Sequence, residues 1–143
     1  MEKINSFRGS YYFLSNFYEA PVTYEGITFK NNEAAFQAQK VCDLAERMKF
    51  KDLNGAEAKK LGRRVSLRKD WENIKIELMK GIVYAKFEQN EDLKGKLLAT
   101  GDKYLEEGNT WGDRTWGTVN GSGANLLGKI LMEVREELRK KGV

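Results

Sequence analysis

Histidine is absent from the 143-residue sequence, and cysteine and proline occur once each, as Cys42 and Pro21. The missing histidine excludes serine–histidine and cysteine–histidine nucleophile pairs, and zinc sites built from cysteine and histidine. Acid–base chemistry must therefore come from Asp, Glu, Lys or Tyr side chains. A lone cysteine forms no internal disulfide, and the first twenty residues show no secretory signal pattern. Both observations predict a reducing, cytoplasmic location.

Long apolar runs and strong net charge are also lacking. No stretch approaches the roughly 18 apolar residues of a membrane span, so no membrane association is expected. Lys and Arg number 25 against 21 Asp and Glu, a net charge of +4 without an extended basic run. This dilute excess only mildly favours anionic partners, and nucleic acid is expected at most as a substrate. With no linker or repeat, residues 1–143 are predicted to form a single domain.

The residues that are present predict an α+β fold, mostly α-helical, with about five helices and a small N-terminal β-hairpin. The segments VTY and ITF flank Glu25-Gly26, a pattern typical of a tight hairpin. Asn31 or Asn32 then offers a cap for the first helix, and KYLEE is a possible short strand. Five helices are predicted: about 33–47, GAEAKKLG after Asn54, one that begins at Trp71, Asn90 to Ala99, and Leu126 to Leu138. Asp70 is expected to cap the third of them. Its buried face is expected to consist of Trp71, Ile74, Leu78, Ile82 and Ala85.

The first predicted helix carries a polar stripe. At 100° per residue, Glu33, Gln37 and Lys40 share one narrow face, with Phe36 beside it. Two helical turns, about 10 Å, would separate Glu33 from Lys40, enough to bracket a ribose. The pattern indicates a helix that lines a pocket, although a solvated helix face gives the same spacing.

Two Trp-Gly pairs surround an aspartate in the segment GNTWGDRTWG. Indole faces stack well on nucleobases and sugars, so Trp111 and Trp116 with Asp113 between them suggest a ligand-binding loop. The alternative is that the two indoles fill the core beneath a long loop.

The segment NGSGAN precedes the last helix. Gly121 and Gly123 would let the backbone approach a ligand, Asn125 would add a polar side chain, and the helix N–H groups would receive phosphate. The segment is neither a Walker motif nor a dinucleotide fingerprint, and glycines before a helix also form simple turns. Arg64 could hold a phosphate and Trp71 a base, although Trp71 also begins an apolar stripe.

Five segments in register, from about Phe7 to Leu138, resemble the YbiA-like, or NADAR, family: FRGSYYFLSNFYEAPVTYEGITF, NNEAAFQAQK, GRRVSLRKDW, IVYAKFEQNEDLKGKLLATGD and WGDRTWGTVNGSGANLLGKILMEVREEL. The resemblance implies a mainly helical fold with a small β part and a cofactor-free, metal-free N-glycosidase. One branch of the family hydrolyses phosphorylated ribosylamino intermediates of riboflavin biosynthesis, and another removes ADP-ribose from guanine.

The resemblance also implies residue roles. The family's glutamate and lysine fall on Glu33 and Lys40, its loop aspartate on Asp113, and two tryptophans on Trp71 and Trp116. Its FLSNF motif adds Asn16 and Phe17 as pocket lining. One departure is Asn31-Asn32, where the family often has Ser-Val.

We expect Glu33 and Asp113 to act as a carboxylate pair, with Lys40 as a cation or a nucleophile. Two alternatives stay open at this point: a non-catalytic module that binds ADP-ribose or nucleotides, and a general nucleic-acid binder. Oligomeric state is not predicted.

Overall fold

The computed structural model describes residues 2–142, which form two compact units. Unit 1 holds the described residues up to Ser15 and from Glu91 onward, and unit 2 is Asn16–Asn90. The elements are β1 (Lys3–Ile4), a 3-10 helix (Gly9–Leu14), β2 (Glu19–Tyr24), β3 (Ile27–Asn31), α1 (Asn32–Ala38), α2 (Leu44–Met48), α3 (Gly55–Gly62), α4 (Trp71–Gln89), α5 (Glu91–Ala99), β4 (Tyr104–Leu105) and α6 (Leu126–Lys141).

Unit 1 packs a short parallel β-pair and helix α5 against helix α6. β1 pairs with β4 through Lys3 with Tyr104 and Ile4 with Leu105. Helix α6 has one apolar face at helical spacing, and burying that face holds the helix in place. Its buried apolar residues are Leu127, Ile130, Leu131, Val134 and Leu138.

Unit 2 is built around an antiparallel hairpin and helix α1. Glu25 and Gly26 both have positive φ, 50° and 82°, as a type I′ turn requires. Val22 pairs with Phe29, and both side chains are buried. Helix α1 follows β3 without a loop and contacts β2, β3, α3 and α4. The hairpin therefore fixes where α1 begins.

The expected fold class is confirmed, because about half the chain is helical and the strands are few. The hairpin and the short strand in KYLEE are also confirmed. The helix count is corrected: residues 2–142 form six α-helices and one 3-10 helix rather than about five helices. The predicted 33–47 helix breaks in two because Asp43 caps α2, accepting from the Glu46 N–H at 3.1 Å.

Two predictions about α4 were wrong in detail. The Asp70 side chain makes no capping bond and instead accepts from Arg68 at 2.7 Å. Trp71 and Ile82 of the predicted core stripe are buried, but Ile74, Leu78 and Ala85 are half-buried. The other buried positions of α4 are Met79, Val83, Lys86 and Phe87. Within residues 2–142, none of the helices combines the length and apolar character needed to cross a bilayer.

Candidate functional site

Glu33 is the buried carboxylate of helix α1, with 8% of its surface exposed. Its Oε2 accepts a hydrogen bond from Gln37 Nε2 at 2.7 Å. Its backbone N–H donates to the Asn16 carbonyl at 3.0 Å, and Asn16 Nδ2 lies 3.5 Å from Met79 Sδ. These contacts fix both ends of Glu33 within unit 2.

Helix α3 approaches this carboxylate through glycines at its two ends. A Cβ on Gly62 would lie 1.9 Å from Gln37 Oε1, and a Cβ on Gly55 would lie 2.6 Å from the Phe17 ring. No real side chain tolerates such distances without a shift of its neighbour. A side chain at Gly55 would therefore displace the Phe17 ring, and one at Gly62 would displace the Gln37 amide that holds Glu33.

Lys40 lies just beyond the end of α1, not within it, because the helix stops at Ala38. Its Nζ is 5.9 Å from the Trp71 ring, and that ring packs on Phe36 with centroids 5.0 Å apart. Burial lowers the pKa of Lys40 below its usual value, and nearby Glu33 opposes this effect. Three further cations also lower the pKa: Arg63, Lys59 and Lys75.

Unit 2 thus brings together five of the predicted site residues: Asn16, Glu33, Gln37, Lys40 and Trp71. Phe17 joins them at its edge, with Lys59 Nζ 5.8 Å from its ring. Arg64 is exposed, and within residues 2–142 no hydrogen bond or ion pair of its side chain links it to this group. Sequence reasoning treated Asn32 only as a possible cap, and the cap of α1 is Asn31.

In unit 1, Asp113 organises its own loop. The Asn109 side chain donates to the Asp113 carbonyl at 2.9 Å and accepts from the Asp113 N–H at 3.0 Å. Asp113 Oδ1 then accepts from the N–H groups of Thr115 and Trp116 at 3.0 and 2.9 Å. One carboxylate oxygen therefore holds a turn, as an Asx motif does. Trp116 is half-buried and Trp111 is 57% exposed, so neither fills the core completely.

The backbone N–H groups at the start of α6 are also hydrogen-bonded. The N–H groups of residues 124–127 donate to the carbonyls of residues 114–117 at 2.8–3.2 Å. The N–H groups of residues 124–127 therefore bind the preceding loop, and phosphate binding by the backbone from Gly121 to Asn125 stays a prediction. Asn125 Oδ1 accepts from the Glu107 N–H, and its Nδ2 donates to the Leu105 carbonyl at 2.9 Å and to Tyr104 Oη at 3.3 Å. Gly121 and Gly123 have φ of 80° and 148°, and a Cβ on Gly123 would lie 2.5 Å from a carbonyl oxygen.

Glu33 and Asp113 belong to different units, and their joint action stays a prediction. Gly121, Gly123, Asn125 and Trp116 likewise belong to unit 1, and their predicted roles in substrate binding stay predictions. Among the side chains of residues 2–142, no three of Cys, Asp or Glu gather closely enough to hold a metal ion.

Comparison with known proteins gives consistent names. The N-glycosidase YbiA of Shigella boydii is 41% identical over 128 residues, covering 87% of this chain and 79% of that protein. A riboflavin biosynthesis protein of Vibrio vulnificus is 42% identical over 132 residues, covering 90% of this chain. The chain spans only 36% of the length of that Vibrio protein. The NMR structure of Escherichia coli YbiA matches with a TM-score of 0.87 and 37% identity, covering 99% of this chain and 87% of that one.

These names agree with the expected class, a hydrolase of N-glycosyl bonds. The profile of the NADAR domain matches residues 5–139, nearly the whole sequence. The chain therefore belongs to the NADAR domain family.

Proposed function

We propose that this chain hydrolyses the C–N bond between ribose and a base or amine in a phosphorylated, nucleotide-like substrate. The observation that carries the proposal is the buried Glu33 carboxylate, held by Gln37 beside Lys40. Relatives named N-glycosidase support the reaction class.

The chemistry needs a negative charge at the sugar. When the bond from C1 to nitrogen breaks, the electron pair leaves with nitrogen, and positive charge spreads over C1 and the ring oxygen. Water then adds to C1, and the proton that it releases goes to the departing base or to a carboxylate. A buried carboxylate stabilises such a cation more strongly than an exposed one, since water screens it less. Glu33 is buried and fixed at its backbone and at one carboxylate oxygen, as this role requires.

Lys40 and Trp71 support the same position. Lys40 is half-buried, and burial lowers its pKa below the usual value while the nearby Glu33 carboxylate favours the protonated form. We propose that it binds a hydroxyl or phosphate of the substrate. Trp71 is only 5% exposed, so it supports Lys40 and Phe36 rather than presenting an open face to a base.

We propose phosphorylated ribosylamino intermediates of riboflavin biosynthesis as the first substrates to test, because the family resemblance implies them and the Vibrio relative is named a riboflavin biosynthesis protein. ADP-ribosylated guanine is the second substrate that the family resemblance implies. A module that only binds such molecules would leave both intact.

Hydrolysis of both substrates by the purified protein, with release of base and sugar followed by chromatography, tests the proposal. We expect Glu33→Gln, which keeps size but removes charge, to lower the rate about 10²–10⁴-fold. The exposed Glu77 offers a matched control, and Glu77→Gln should leave the rate unchanged. A wild-type rate in Glu33→Gln would contradict the role of Glu33, and intact substrates with the wild-type protein would favour the binding module.

A further inference from the structure

Unit 1 carries a cavity of about 180 Å³ beside strand β1. It is lined by three cations, Lys3, Arg8 and Lys103, and by the hydroxyl groups of Tyr11 and Ser6. None of its lining residues belongs to the site proposed for hydrolysis. At about 30 Å³ per water molecule, the cavity has room for roughly six waters, or for one phosphate group with the first atoms of its ester.

The main chain holds the three cations around this cavity. β1 pairs Lys3 with Tyr104 of β4, and Lys103 directly precedes that strand. The Lys103 carbonyl accepts a hydrogen bond from the buried Arg135 side chain at 2.9 Å. The Arg8 carbonyl accepts from the N–H three residues later at 3.0 Å. The cations therefore extend from hydrogen-bonded backbone, which limits how far they can spread apart.

Most donors that line the cavity have no acceptor in the described part of the chain. Among residues 2–142, the side chains of Arg8, Lys103, Tyr11 and Ser6 make no hydrogen bond or ion pair. Lysine and arginine side chains can only donate hydrogen bonds, and hydroxyl groups donate as well as accept. Water satisfies such donors, but an anion with several acceptor atoms replaces several waters and gains Coulomb energy at the same time.

Two carboxylates set the charge of the cavity. The buried Glu106 pairs with Lys3, with 3.0 Å between its Oε1 and Lys3 Nζ. Glu2 is exposed and is the one carboxylate among the lining residues. Three cations stand against these two carboxylates, so the cavity keeps a net positive charge. Arg8 and Lys103 supply the positive charge that faces the cavity without an ion-pair partner among the described residues.

We propose that this cavity is a binding site for a small oxyanion, either inorganic phosphate or the phosphate group of a monoester. Arg8 supplies a planar pair of donors that suits two oxygens of a tetrahedral anion, and Lys103 supplies a second positive charge. Tyr11 and Ser6 add neutral donors. The site lies wholly in unit 1, and the inference does not depend on hydrolysis at Glu33.

Titration of the isotope-labelled protein by NMR tests the site, with inorganic phosphate and methyl phosphate added separately at constant ionic strength. We expect saturable chemical-shift changes at residues 2–11 and 103, and the anion with the lower Kd shows whether an ester is preferred. Arg8→Gln and Lys103→Gln should each raise the Kd about tenfold, because each removes a charge-assisted hydrogen bond. Glu2→Gln removes the opposing charge and should lower the Kd about twofold. The matched control is Arg114→Gln, since Arg114 is an exposed arginine of the same unit outside the cavity, and its Kd should not change.

Three results would overturn the inference. Shift changes that do not saturate, or that chloride reproduces, would show only non-specific screening of the cations. An unchanged Kd in both Arg8→Gln and Lys103→Gln would place the bound anion elsewhere. A raised Kd in Glu2→Gln would show that the carboxylate selects the ligand. Thermal unfolding followed by circular dichroism checks that each variant folds, and either Arg8→Gln or Lys103→Gln suffices for the test.

Discussion

The buried polar side chains of the two units are not hydrogen-bonded to the same extent. In unit 1, Asn109 and Asn125 are fully engaged with the backbone, and Asp113 holds a turn. In unit 2, the amide of Asn32 has no hydrogen-bond partner among residues 2–142, and burial lowers the pKa of Lys86 to about 7. The segment rich in Trp, Gly and Asp in unit 1 thus stabilises a loop, whereas in unit 2 the burial of Asn32 in α1 and of Lys86 in α4 is unfavourable.

This contrast predicts stability changes of opposite sign. Asn125 makes three hydrogen bonds at 2% exposure, so Asn125→Gly should lower the free energy of unfolding by roughly 2–4 kcal/mol. Glycine is the informative replacement because Asn125 has a φ of 51°, which glycine adopts without strain. Asn120 has a similar φ of 53° but is exposed, and Asn120→Gly should be nearly neutral in urea denaturation. Equal changes in the free energy of unfolding for the two variants would show that the side-chain hydrogen bonds of Asn125 do not stabilise the fold.

In unit 2, removing a buried charge should stabilise the fold. Between pH 7 and about 10.4 the unfolded chain keeps Lys86 protonated while the folded chain releases the proton, so stability rises with pH over that window. Lys86→Met should raise the free energy of unfolding at pH 6.5 by roughly 2–3 kcal/mol and flatten this rise. The exposed Lys69 supplies the control, since Lys69→Met should do neither. A lower free energy of unfolding for Lys86→Met than for the wild-type protein at pH 6.5 would contradict this difference between the units.

The smallest expected change in stability concerns Asp113. Asp113→Ala removes the acceptor for two backbone N–H groups and should cost about 1–2 kcal/mol, whereas Asp113→Asn keeps an acceptor oxygen and should cost under about 0.5 kcal/mol. The prediction that Asp113 supplies a second carboxyl group adds a separate expectation, a loss of hydrolysis of about 10²-fold in Asp113→Asn. Full activity in the folded Asp113→Asn variant would show that Asp113 stabilises the turn and takes no part in hydrolysis.

Local patterns predicted the elements that depend on local contacts. The Glu25-Gly26 turn and the helix after Asn54 were visible because each begins with contacts between residues within three positions. The break at residues 39–43 was missed because the apolar spacing continues past it while Asp43 begins a new helix.

The candidate site was only partly visible in the sequence. Glu33 and Gln37 share a helix face, so their contact followed from spacing. The hydrogen bond of the Asn125 side chain is made to Leu105, twenty residues away. The lack of a hydrogen bond at the Asn32 amide depends on every element packed around it. Long-range packing of this kind leaves no periodic signal in the chain.

Gly62 has a practical consequence for anyone who engineers this protein. Replacing a helical glycine by alanine is a routine stabilising step, worth up to about 1 kcal/mol in a helix. Here the added methyl group would displace the Gln37 amide from its place against α3, and the carboxylate that it holds would lose its support. If Glu33 acts as proposed, thermostability screens that do not also measure turnover would therefore select a folded but less active variant at this position.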